Sequence, residues 1–176
     1  MKLNPSIPLF RIHQRLLGQL DDMVDLARRD GILHTVAPST SAWNVGQHLE
    51  HLLLADRKIF EIWKKIERGA MPSAEGNISF VGRIALFVGR IPRGRGRAPE
   101  ALCPETVDGA GLVTGLEDMR EEISELEKDL PIHETSSWRA PHPVFGPLSP
   151  TQWLRFIDIH HQHHLKIVQD IRRNAA

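Results

Sequence analysis

Tyrosine is absent from this sequence, and cysteine occurs once, at Cys103. A lone thiol excludes an internal disulfide framework and a cysteine-rich zinc site. There is no excess charge of either sign: Lys+Arg and Asp+Glu both number 22. Net charge therefore gives no reason to expect nucleic acid or an anionic membrane as partner. No run approaches the roughly 18 apolar residues needed to span a bilayer. Met1-Lys2-Leu3-Asn4-Pro5 lacks the apolar stretch of a signal peptide, so a cytoplasmic location is expected. Internal repeats are missing too, and the only biased tract is an Arg-Gly cluster. What remains is 176 residues, 41% hydrophobic and 25% charged, ordinary for a globular chain. That length can bury one core without a staple, and a single domain over residues 1–176 is expected.

Four segments have helical periodicity, which predicts an all-α four-helix bundle. The first runs from about Ile7 to Arg29 and stops at Asp30-Gly31, where glycine accepts a left-handed backbone. The second opens at Asn44, which forms a capping box with Gln47, and continues through Leu49, Leu52, Ile59 and Trp63 to Arg68, with Gly69 as the stop. The third spans about Gly111 to Leu130. Its apolar residues Leu112, Leu116, Met119, Ile123, Leu126 and Leu130 form a narrow seam, and Pro131 is expected to end it. The fourth begins at Ser149-Pro150 with Gln152 closing a second capping box, and runs to about Arg173. Between the second and third lies a long crossover loop, residues 69–109, in which Phe80 to Val88 can form a helical turn or two. A connection of this length in a compact domain is often functional.

Histidine is what the sequence has in excess. There are 10, and four fall within positions 160–164. On a helical wheel His160 and His164 lie at the centre of the apolar face of the fourth helix. His161 and His163 lie on its flanks, about 80° to either side. A single buried histidine is usually a hydrogen-bonded core residue. Two at i, i+4 each need a partner, and one shared ion satisfies both. A third ligand must come from another helix, and the second offers His48 and His51. The wheel places His48 nearer the middle of the apolar face and His51 toward its edge, which leaves the choice open. Three protein ligands and an open fourth position would make a catalytic metal site. A fourth ligand, His48 or His163, would close it into a structural one.

These residues resemble the DinB-like family of four-helix-bundle proteins. Trp43-Asn44-Val45-Gly46-Gln47-His48-Leu49-Glu50-His51-Leu52 is similar to that family's first motif. His142-Pro143-Val144-Phe145-Gly146-Pro147-Leu148-Ser149, followed by Trp153, is similar to its approach to the last helix. His160-His161-Gln162-His163-His164 is similar to its closing His-x-x-x-His motif. The likeness covers the second and fourth helices and the loop before the fourth, and the Arg-rich part of the crossover loop matches no motif. The resemblance implies a metal held by His51, His160 and His164, and so prefers His51 to His48. It also implies a metal-dependent protein, often dimeric, in a family where some members transfer a low-molecular-weight thiol to an electrophile.

A divalent ion on three neutral imidazoles can lower the pKa of bound water or hold a thiol as thiolate. That suits a thiol transferase or a hydrolase acting on a small molecule; the rival is a non-catalytic metal-binding or stress-related bundle. Zn or Ni fit the donor set best, with Fe or Mn open. No catalytic side chain is identified. His48, His142 and His163 are candidates for contacts behind the metal or to substrate. His142, before Pro143, is expected to be extended and to shape the entry to the fourth helix. Trp43 is read as a core residue capping the bundle, Glu50 as solvated, and Cys103 as a small apolar residue. Arg83, Arg90, Arg93, Arg95 and Arg97 are read as a solvated loop whose functional role would be a basic rim for an anionic thiol or substrate.

Overall fold

The computed structural model describes residues 7–29, 31–94 and 98–175. Asp30, Arg95 and Arg97, on which the first helix stop and part of the basic rim were expected, lie outside the described residues. Helix α1 covers Leu9–Ala27, α2 Val45–Glu67, α3 Phe80–Val88, α4 Gly109–Glu125, α5 Leu130–Thr135 and α6 Pro150–Asn174. Strands β1 (Ala140–His142) and β2 (Gly146–Leu148) form a small antiparallel hairpin. The four long helices α1, α2, α4 and α6 make an all-α bundle. α1 packs against α4 and α6, α2 against the same two, and α1 and α2 lie largely across the diagonal.

Both capping boxes form. The Asn44 side chain accepts from the Gln47 backbone and Gln47 returns the bond; Ser149 and Gln152 do the same at α6. Each box satisfies two of the N–H groups that a helix start leaves without partners. Gly31 and Gly69 take left-handed φ values of 71° and 68°, as helix stops do.

Pro131 does not end the third predicted helix. α4 tightens into a 3-10 turn over Leu126–Asp129, and Pro131 then sits in the first turn of α5. Proline is tolerated there because its missing N–H would have had no helical partner.

The crossover between α2 and α4 contains α3, which has more than the expected turn or two. Ser79 caps it, and only Gly82 and Ala85 are buried. Gly82 lets α3 touch the hairpin: a Cβ there would lie 2.8 Å from the Phe145 side chain. Ser79 N–H donates to the Phe145 carbonyl at 2.7 Å, and the Trp153 indole N–H of α6 donates to the Ala140 carbonyl at 3.1 Å. The hairpin is thus pinned between α3 and the start of α6. His142 lies in β1, extended as its proline neighbour requires. Its Nδ1 accepts from Val144 N–H at 3.1 Å and Phe145 N–H at 3.0 Å, which closes the turn.

Candidate metal centre

α2 and α6 are neighbours, and their inward faces bring His51, His160 and His164 together. One ring nitrogen of each lies within 4.8 Å of the other two. His51 Nε2 and His160 Nε2 are 3.2 Å apart. The Nδ1–H of His51 donates at 2.7 Å to the carbonyl of Leu102, in the 3-10 turn Glu100–Leu102 of the crossover. A neutral His51 held this way presents the lone pair of Nε2 to His160. His160 keeps some surface exposed, but its Nδ1 is buried and has no hydrogen-bond partner.

His48 stands behind this group. Its Nδ1 is 2.9 Å from His164 Nδ1, and its Nε2 is 2.9 Å from Ser41 Oγ. Ser41 Oγ also accepts the Trp43 backbone N–H at 3.1 Å. Two proton arrangements satisfy this chain of contacts. In one, His164 Nδ1–H donates to His48 and His48 Nε2–H donates to Ser41. In the other, every donor is reversed and His164 carries its proton on Nε2. Only the first leaves a lone pair on His164 Nε2.

Burial dominates the electrostatics. It pushes His160 and His164 well below the ordinary imidazole value, helped by the neighbouring histidines. His51 is lowered by burial against the opposing pull of its Leu102 hydrogen bond and of Asp56. His48 falls to about 4, through burial first and then through His51, His163 and Arg93. All four are therefore neutral at pH 7, the form that binds metal.

The donor set fits a divalent ion. Two imidazoles on one ion at about 2.1 Å each hold their nitrogens roughly 3.0 to 3.4 Å apart for right-angled to tetrahedral geometry, and the His51–His160 separation falls in that span.

Several single-residue expectations change. The wheel put His51 at an edge, yet it is as buried as His48. His161, expected on a flank, is fully buried and meets Asp56 of α2 at 2.7 Å. Trp43 covers the cluster, its ring centroid 5.4 Å from His48 and 5.1 Å from His51. Glu50 is half-buried, and burial raises its carboxyl. Cys103 is exposed, with its thiol toward the Ala98 and Pro99 carbonyls. His163 flanks His164 with centroids 5.1 Å apart. The ring of His142 reaches Phe156, which stacks on His160.

Two buried carboxylates went unread in the sequence. Asp56 holds His161. Asp158, fully buried, receives Arg15 at 2.6 Å, Arg155 at 2.7 Å, Gln19 at 3.0 Å and Gln162 at 2.6 Å, which ties α1 to α6. A signal was present for both. Val45, Leu49, Leu52, Asp56, Ile59, Trp63 and Ile66 repeat at core spacing, and Asp158 lies between Leu154 and His161 on α6 in the same way.

A helical bundle with a cluster of three neutral imidazoles between two facing helices is an architecture that fits metal binding. The chain belongs to the DinB superfamily, whose family model matches residues 14–168. It is similar to YuaE, an uncharacterized protein of Bacillus subtilis, at 26% identity over 137 residues. That alignment covers 77% of this chain and 80% of YuaE. No solved structure matches the chain. Among the described residues, no helix is long and apolar enough to cross a membrane.

Proposed function

We propose that this chain is a metal-dependent enzyme of small-molecule chemistry, a thiol transferase or hydrolase, with His51, His160 and His164 as metal ligands. The observation that supports it best is the facing pair of Nε2 atoms of His51 and His160. The Leu102 carbonyl fixes the tautomer of His51, so its lone pair points at His160 across 3.2 Å. Two lone pairs at that distance repel unless a proton or a cation lies between them. A proton on His160 Nε2 and a cation shared by both rings each meet that need, and the buried Nδ1 of His160 lacks a partner in either case.

On this reading His48 orients His164 through Nδ1 and is not itself a ligand. Leu102 does the same for His51. Such partners keep the rings aimed and their nitrogens basic. Trp43 shields one side of the cluster. His163 and His142 flank it without joining it. Three protein ligands leave a position for substrate. When bound, the ion supplies a Lewis acid that holds water or a thiol in its deprotonated form near neutral pH. Zn or Ni suits three imidazoles, and Fe or Mn is compatible. A low-molecular-weight thiol is the favoured substrate, and a homodimer is the favoured assembly, to be settled by sedimentation at micromolar concentration.

A test uses cobalt as a spectroscopic ion. Cobalt-loaded protein should gain a sulfur-to-metal charge-transfer band on addition of free cysteine, and the His160→Ala variant should not. A metal site that holds cobalt but stays unchanged by thiol, with a spectrum showing four protein ligands, would favour a structural, non-catalytic metal.

A further inference from the structure

The stripe of α6 next to His160 and His164 carries Gln162, His163, Lys166 and Asp170. Together with Arg90 and Arg93, from the segment that follows α3, these residues line a cavity of about 480 Å³. Its charge is unbalanced. Three permanent cations converge on it, against a single carboxylate. Asp170 accepts from Arg93 at 2.7 Å and also from Arg173, so its charge is already shared. Among the described residues, Arg90 and Lys166 have no carboxylate within 4 Å. Like charges gathered around a concavity raise the local potential and attract an anion into it. The arginine forks suit the planar or tetrahedral oxygens of a carboxylate or phosphate.

The cavity adjoins the imidazole cluster without being part of it. His163 lines its wall, and the ring centroid of His163 is 5.1 Å from that of His164. Arg93 lies close enough to His48 and His163 to depress both imidazoles.

We propose that this cavity binds the oxyanion group, carboxylate or phosphate, of a small molecule whose reactive end reaches the His51, His160 and His164 cluster. The proposal rests on reading that cluster as a metal site for small substrates. Arg90 and Lys166 hold the anion, Arg93 is shared with Asp170, and Gln162 and His163 line the wall. A substrate seated this way is anchored at one end and presented at the other, which converts binding energy into orientation.

Calorimetric titration with inorganic phosphate and, separately, malonate at low salt tests this. Wild-type protein should show one saturable site for at least one of the two, and the stronger of them gives the oxyanion class. Arg90→Gln and Lys166→Gln should each weaken binding about fivefold, between the values for an exposed ion pair and for a hydrogen bond to a charged group. The double variant should weaken it about 25-fold, the product of the two. Both side chains are exposed, so the variants keep the fold. His160→Ala protein, stripped of metal, should still bind the anion. Loss of anion binding in that variant would put the anion on the metal and overturn the proposal. So would an absence of saturable binding in the wild type, or unchanged binding in the double variant. A single-stranded oligonucleotide binding more tightly than either small anion, with a steep salt dependence, would overturn it in favour of a nucleic-acid face. Phosphate bound at Arg90 and Lys166 by a protein that takes up no metal would support the cavity and refute the metal reading alone.

Discussion

His48 and His51 are three residues apart on α2 and equally buried, yet their rings meet different partners. The difference lies in what each Nδ1 meets: the Leu102 carbonyl for His51, and His164 for His48. Those partners are 51 and 116 residues away, which is why a helical wheel leaves the choice open. The pair His160 and His164 was legible because both its spacing and its face are local. If His48 aims His164, His48→Ala should weaken metal affinity about 10–100-fold without removing the site. Competition with a chelator of known affinity measures this, and an unchanged affinity would refute the orienting role. The pH response also follows from single residues. Histidine ligands with the ordinary imidazole value would lose metal as pH drops below about 6. Burial holds these rings neutral further down, so loss of metal should begin at lower pH than that. His48 and His142, both lowered to about 4, are neutral when folded but protonate at about 6.5 when unfolded. Their contribution to stability is complete above about pH 6.5 and is lost as pH falls toward 4. Urea unfolding of metal-free protein at several pH values should show this decline, and a flat profile over that window would contradict it.

At the scale of elements, the helix starts were written in local code. Asn44 with Gln47, and Ser149 with Gln152, needed only their own backbones, and both boxes formed. The hairpin of β1 and β2 was not read, because its three-residue strands carry too little periodicity and are held by contacts with α3 and α6. Pro131 was misread because its effect depends on whether a new helix begins there. Asp56 and Asp158 were missed although each sits at core spacing, where a charge calls for a partner on another helix. The Asp56–His161 contact joins α2 to α6 at the level of the cluster, so it holds in place the two helices that carry the candidate ligands. Replacing Asp56 with Ala should cost about 1–3 kcal/mol, the range for leaving a buried polar group without its partner, read as a lower urea midpoint. A change below 1 kcal/mol would show that the contact contributes little. The crossover has a split character. α3 leaves Phe80, Val81, Ile84, Phe87 and Val88 exposed, while the turn at Leu102 is tied to His51. Amide exchange should be faster in residues 69–94 and 98–109 than in α6, and metal should slow it chiefly at residues 100–103. Equal exchange in the presence and absence of metal would argue against the Leu102 anchor.

For the whole molecule, the periodicity of four segments pointed to the bundle, but not to its layout. Placing α1 and α2 across the diagonal leaves each to pack on α4 and α6, and it sets the His51 face of α2 against the His160 and His164 face of α6. A metal there would link two helices far apart in sequence, together with the crossover turn, and would bind the folded state alone. Loading should raise the Tm and a chelator should reverse the rise, by about 4 kcal/mol of stability at a thousandfold excess over Kd. The most direct measurement is the metal content per chain of gently purified wild-type protein and of its His48→Ala, His51→Ala, His160→Ala and His164→Ala variants, each first shown to be folded. The account predicts about one ion in the wild type. It predicts little or none in the His51, His160 and His164 variants, and an ion bound more weakly in the His48 variant. Full occupancy in the His160 and His164 variants, or loss confined to the His48 variant, would contradict it.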